Sequence, residues 1–198
     1  MFIIILILIL ILILIFLFSE YPRYFWFFPS LPLYPDNQIE SMEVLKLTYT
    51  RDSNMENIFN LTDSSPSKIF LPYVDESIDE LDKIITSNKI IFIILFIKLL
   101  FNRARPWQVN KKITPLLSID FIKTNYSSSN TPSYPAGHSF QAYYLAKLLS
   151  KKYPSKKDFF IKLAFDVDES RVRAGIHYHS DGIFSRQLVD YLMKFNII

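Results

Sequence analysis

The 198-residue chain has no cysteine, only three glycines and only three histidines, and its charge excess is just +3. Without cysteine there is no disulfide framework and no thiolate metal site. With three imidazoles as the remaining nitrogen ligands, a Cys/His zinc site is not expected. A net charge this small gives no reason to invoke nucleic acid as a partner. Disorder is excluded from the other direction, because half the residues are hydrophobic and 16% are aromatic. Alternating apolar and polar residues, the mark of a half-buried strand, do not recur over any useful length, so the fold class is all-α. The scarce residues are also clustered. Gly137 and His138 lie in one short stretch, and Gly175, His177, His179 and Gly182 in another. A chain that keeps its imidazoles beside its most permissive backbone positions is expected to have built a site there.

The chain divides into three parts. Residues 1–18 contain only Met, Phe, Ile and Leu. As a helix they would extend about 27 Å, close to one hydrocarbon core. They lack the basic n-region and the small residues of a cleavage site, so an uncleaved, single-pass N-terminal transmembrane anchor is expected, with its orientation open. Residues 19–35 are rich in proline and aromatics and read as a juxtamembrane linker or as a stalk packed on the domain. Residues 36–198 form the domain. Asp36 or Asn37 caps a first helix with Ile39, Met42, Leu45 and Leu47 as its apolar stripe. Residues 51–68 read as a loop, and a second helix follows from Asp75. Residues 90–101 are apolar all round except for Lys98, which suggests the central helix of a bundle ending before Pro106. Further helices are expected after Gly137, from Lys157 to Ala174 and from Asp181 to Phe195. Asn60 and Asn125 begin glycosylation sequons that matter only outside the cytoplasm.

Two cations stand where apolar residues belong. Arg171 falls on the stripe of Phe160, Leu163, Ala164, Val167 and Ala174, and a guanidinium facing a core needs an anion. A structural ion pair with Asp166 or Asp168 would provide one. Lys98 poses the same problem, unless it snorkels to the surface.

Taken in order, Lys98-x6-Arg105-Pro106, Pro135-Ala136-Gly137-His138 and Ser170-Arg171-x5-His177-x3-Asp181 form a three-part pattern. It resembles the type 2 phosphatidic acid phosphatase (PAP2) superfamily, which includes class A acid phosphatases and vanadium haloperoxidases and carries K-x6-RP, PSGH and SR-x5-H-x3-D. The resemblance covers about residues 98–181. It implies a helical bundle with the site at one end, in which Lys98, Arg105 and Arg171 hold phosphoryl oxygens and the backbone at Ala136 and Gly137 approaches the anion. In that scheme His177 is the nucleophile, Asp181 orients it, and His138 is the acid and then the base. A cationic clamp of this kind requires neither metal nor cofactor.

The usual serine of PSGH is Ala136 here, which removes a hydroxyl donor. His179 stands where proline is common and is read as a rim residue, as are Arg103 and Arg173. Trp107 and Gln108 are candidates for the entrance. The expected activity is hydrolysis of a phosphate monoester or pyrophosphate on a small-molecule or lipid partner, by an enzyme held at a membrane through its N-terminal helix. The alternatives are a vanadate-dependent haloperoxidase, the one case with vanadate as cofactor, and a catalytically silent membrane-anchored binding protein.

Overall fold

The computed structural model describes residues 5–11, 23–25, 27, 28, 30, 31, 33–116 and 130–198. These residues are all-helical in class, and among them no strand occurs; Arg23 and Arg103 form an isolated bridge. The main helices are α1 (Asn37–Thr48), α2 (Ser53–Thr62), α3 (Ile78–Ile85), α4 (Asn88–Phe101), α5 (Gly137–Lys152), α6 (Lys157–Arg173) and α7 (His179–Lys194). Several starts are explained by side-chain caps. Asp36 accepts from the Gln38 and Ile39 amides, Asp52 accepts from Met55, and Ser77 and Glu80 form a reciprocal capping box. α4 ends at Asn102, which adopts the left-handed conformation at φ 46°, four residues before the proline expected to end it.

The principal core lies between α5 and α6. Leu145, Ala146 and Leu149 meet Phe160, Leu163, Ala164 and Val167, and Phe70, Leu81 and Ile85 close the layer. A second cluster joins Ile90 and Ile94 of α4 to Phe140 of α5 and to Val189 and Leu192 of α7. Each such large apolar side chain contributes about 1.5–3 kcal/mol by leaving water. The three longest helices are therefore locked side by side, and the site is built where their ends and the connecting segments converge.

Four expectations change. α1 buries Asn37, Ser41 and Val44, whereas Ile39 and Met42 are more than half exposed. Asn37 points inward because its Oδ1 accepts from Nε of the buried Arg103 at 2.8 Å. Residues 51–68 are not a loop: α2 runs through them, buries Phe59 and Thr62, and is followed by a short helical turn at Pro66–Ile69. α4 is not central. Ile90, Ile94, Lys98 and Phe101 face inward, but Phe92 and Phe96 are more than half exposed, and Leu95, Leu99 and Leu100 are largely so. Finally, residues 5–11 are helical and about half exposed, while the rest of the 1–18 anchor lies outside the described residues. Among the described residues no single helix is long and apolar enough to cross a membrane. The N-terminal transmembrane helix therefore gains no support from the fold.

The described part of the 19–35 segment is joined to the end of α4. The Tyr24 amide donates to the Asn102 carbonyl (3.1 Å), the Phe25 amide to Asn102 Oδ1 (2.9 Å), and the Ser30 hydroxyl to the Phe101 carbonyl (2.6 Å). This matches a packed stalk better than a free linker.

Candidate active site

His177 and Asp181 sit at the start of α7. Spacing of four residues across the helix entry places the His177 ring over the carboxylate, and Nδ1 lies 2.9 Å from Asp181 Oδ2. The Tyr178 amide donates to the same oxygen at 3.0 Å, and a carboxylate in the first turn also suits the helix dipole. Asp181 is fully buried. Burial pushes its carboxyl up, but Arg103 and His177 outweigh that and hold it at about 2. For His177, burial is the largest influence; with Arg105 and Lys98 nearby it lowers the ring to about 3, against the pull of Asp181. The ring is thus neutral at ordinary pH. With Nδ1–H donated to an ionised Asp181, Nε2 keeps a lone pair, and the Arg105 Nη1 stands 3.4 Å from it.

Arg105 follows the turn after α4 and donates to the carbonyls of Thr131 and Ile176, both at 2.8 Å. Burial lowers its pKa to about 10. Lys98 does not snorkel. It is buried on the inner face of α4 and donates to the Pro132 carbonyl, and burial and Arg105 push its ammonium well below the ordinary value. Arg171 is fully buried on α6, as its place on the apolar stripe required, but its partner is neither Asp166 nor Asp168. It donates to Asp63 Oδ1 (2.9 Å) and Thr62 Oγ1 (2.6 Å), at the end of α2, and lies over the Phe59 ring. Its Nε has no hydrogen-bond partner among the described residues. Asp166 pairs with Lys162, and Asp168 with Arg186 and Ser139.

His138 lies in the first turn of α5, with Nε2 2.9 Å from the Asp63 carbonyl. Burial and then Arg171 hold it well below 6.5. A pocket of about 210 Å³ is lined by Lys98, Gly137, His138 and His177 together with Thr131, Gln141 and an apolar wall of Ile91, Ile94 and Leu95. Arg105 and Asp181 reach this pocket through His177. Arg171 and Ala136 do not line it. Ala136 caps α5 and is fully buried, with its amide 3.4 Å from the Asp181 carbonyl. The amides that open α5, beginning with Gly137, are the ones without a carbonyl one turn earlier.

The other glycines serve the frame. Gly175 turns the chain at φ +79°, and a Cβ on Gly182 would run into the Asp168 carboxylate. His179 is partly exposed, with Nδ1 3.9 Å from Glu169 Oε2, and is not among the residues that line the pocket. Arg173 likewise pairs at the surface with Glu169. Trp107 packs beside Val44 and Ile113, and Gln108 accepts from the Arg105 amide, so neither lines the pocket.

Arg103 is the residue that sequence reasoning misplaced. It is not a rim charge: it is fully buried and donates to Asp181 Oδ1 at 2.7 Å and to Glu40 at 2.5 Å. Among the described residues, no group of three or more His, Cys, Asp or Glu side chains converges as a metal-ligand set.

A helical bundle that gathers buried cations around a carboxylate-held histidine has the fold and the charge to receive a tetrahedral anion. A family model, the PAP2 superfamily, matches residues 84–188, just over half of the chain, and the chain belongs to that superfamily. Membership implies phosphatase-type chemistry. No curated protein matches the chain closely enough to extend this further.

Proposed function

We propose that the protein is a metal-independent phosphatase that hydrolyses a phosphate monoester or pyrophosphate through a phosphohistidine on His177. The observation that carries this reading is the contact of His177 Nδ1 with Asp181 Oδ2 at 2.9 Å. With its Nδ1 proton held by Asp181, Nε2 presents a lone pair to the pocket beside Lys98 and Arg105. In the first step Nε2 attacks phosphorus and the bond to the leaving oxygen breaks, with that oxygen taking a proton from His138. In the second, His138 removes a proton from water, the hydroxide attacks phosphorus, and the P–N bond breaks.

The low pKa of His138 in the empty pocket fits this scheme. Burial lowers it first, and the nearby cations Arg171 and Lys98 lower it further. A bound phosphate dianion would reverse that field and allow His138 to carry the proton it must deliver. Lys98 and Arg105 hold the phosphoryl oxygens. Arg171 joins them once its contact with Asp63 is exchanged for the anion. The apolar wall of Ile91, Ile94 and Leu95 favours a leaving group with some apolar surface, a lipid-linked ester among them. A membrane location through residues 1–18 belongs to the same reading. Its supports are their composition and the exposed apolar face of α4, to whose end the stalk is joined.

The test is hydrolysis of an aryl phosphate by the full chain, beside His177→Ala. Loss of at least about 10⁴-fold in kcat is expected for removal of a nucleophile. Hydrolysis that survives the substitution would exclude the assignment. Halide oxidation on added vanadate, in place of hydrolysis, would replace the phosphatase with a peroxidase.

A further inference from the structure

We infer that the fully buried Arg103 and the part-buried Glu40 form a positioning pair that holds Asp181 and thereby keeps the His177 proton on Nδ1. The inference deepens the reading of His177 as the attacking group, and it uses residues that neither the three motifs nor the 84–188 match singles out. Arg103 falls among the unspecified positions between Lys98 and Arg105. Glu40 and Asn37 come from α1, outside the matched segment.

All five N–H donors of Arg103 are spent inside the protein. Nε donates to Asn37 Oδ1 at 2.8 Å. Nη1 donates to Ser180 Oγ at 2.6 Å and to Asp181 Oδ1 at 2.7 Å. Nη2 donates to Glu40 Oε2 at 2.5 Å and to the Pro35 carbonyl at 3.2 Å. The plane of the guanidinium is held as well, 3.9 Å above the Tyr178 ring. Ser180 closes the ring by donating its hydroxyl to Glu40 Oε2 at 2.6 Å and its amide to Oε1 at 3.3 Å. A guanidinium so saturated has nothing left for a substrate. Its consequence lies in Asp181, whose two oxygens it helps divide: Oδ1 for Arg103, Oδ2 for His177 and the Tyr178 amide.

This division governs the chemistry. A buried carboxylate without a cation protonates. A protonated Asp181 would donate its own proton to Nδ1 and leave the imidazole proton on Nε2, where it blocks attack. Arg103 prevents that exchange. Glu40 carries the second negative charge, so that Arg103 does not draw Asp181 away from the ring. The other groups facing the pair are Lys98 on α4, Arg105 after it, Tyr134 before α5, His138 on α5, Arg171 on α6 and Tyr178 itself. None of them bridges Asp181 as Arg103 does.

The test uses the full chain with Arg103→Gln, Arg103→Lys and Glu40→Gln. Arg103→Gln is expected to lower kcat about 10–100-fold with little change in KM, as loss of an outer-shell partner does, and Arg103→Lys to restore part of it. The acid limb of the kcat profile should move in opposite directions. Removing the Arg103 charge eases protonation of the His177–Asp181 pair and moves the limb up; removing the Glu40 charge opposes protonation and moves it down. Imidazole 15N spectra give a readout independent of turnover, and three histidines make assignment tractable. His177 should show the Nδ1–H form in the parent chain and a shift toward Nε2–H in Arg103→Gln. A folded Arg103→Gln with parental kcat, acid limb and tautomer would overturn the inference. So would acid limbs that move the same way in the two charge-removing variants. If Arg103→Gln does not fold, Arg103→Lys and Glu40→Gln carry the test, and an unmoved limb and tautomer in both decide against it. A chain that hydrolyses no phosphate ester but shows the tautomer shift would fail the proposed function and keep the positioning pair.

Discussion

Arg103 and Arg105 leave the same short segment after α4 and end in opposite surroundings. Both are essentially fully buried. Arg103 meets two carboxylates, and although burial lowers its pKa, Asp181 and Glu40 more than compensate and raise it above its ordinary value. Arg105 donates to the backbone carbonyls of Thr131 and Ile176, and burial takes it down to about 10. The difference separates two uses of the same side chain. A cation neutralised by the protein's own carboxylates is part of the frame. A cation that pays its desolvation against neutral carbonyls still has charge to offer an anion. Arg171 lies between these cases: Asp63 pairs with it, but its Nε remains without a partner among the described residues.

The comparison can be broken at several points. On the proposed function, Arg105→Gln should have the larger effect of the two arginines, about 10²–10³ in kcat/KM, as expected for loss of a donor to the phosphoryl group. Inhibition by inorganic phosphate or vanadate should weaken alongside. Arg103→Gln should leave that inhibition nearly unchanged while kcat falls, and the reverse pattern would exchange the two roles. Gly182→Ala is a test of the frame alone. Its Cβ meets the Asp168 carboxylate, which ties α5 to α7 through Ser139 and Arg186. A loss of about 3 kcal/mol in denaturant unfolding is expected, at the upper end of overpacking costs. If Gly182→Ala kept full stability, the packing at this helix crossing would need revision.

A further test is the acid dependence of stability. His177 is lowered from 6.5 to about 3 by burial and its cationic neighbours, so below pH 6.5 the unfolded chain takes up a proton that the folded chain refuses. Stability therefore declines from pH 6.5 toward 3. Asp181, lowered from 3.8 to about 2, adds a further loss between those values as pH falls. Thermal midpoints should drop between pH 6.5 and 4 in the parent chain and drop less in His177→Phe. Equal slopes in the two would show that His177 is protonated in the folded state.

The pocket residues were legible because each belongs to a fixed local spacing. The resemblance of the three motifs names Lys98, Gly137 and His138, and His177 with Asp181 behind it, before any contact is known, and Arg171 is legible as a cation on an apolar stripe. What escaped was long-range pairing. Arg103 looks like filler between two named positions, and its role depends on Glu40, far away in sequence on α1. For Arg171 an ion pair with Asp166 or Asp168 is one of two expectations, beside the phosphate role the resemblance implies, yet its partner, Asp63, sits at the end of a helix read as a loop. That helix did leave a signal: Asp52 as cap, then Met55, Ile58, Phe59 and Thr62 at helical spacing, outweighed by the surrounding Asn and Ser. The inward face of α1 was misread for a related reason. Hydrophobic patterning assumes an apolar core, and Asn37 faces the buried charge of Arg103 instead. The placement of α4 was hidden by its uniformity, since a helix apolar on every side carries no directional signal.

In the proposed reaction His177 takes the phosphoryl group from the substrate. Rapid mixing of the full chain with an aryl phosphate, an alkaline quench that preserves phosphoramidates, and peptide mapping by mass spectrometry would test it directly. The prediction is a transient phosphoryl group on His177, attached through Nε2, and absent from His177→Ala. A phosphoryl group on His138, or turnover with none on any histidine, would contradict it.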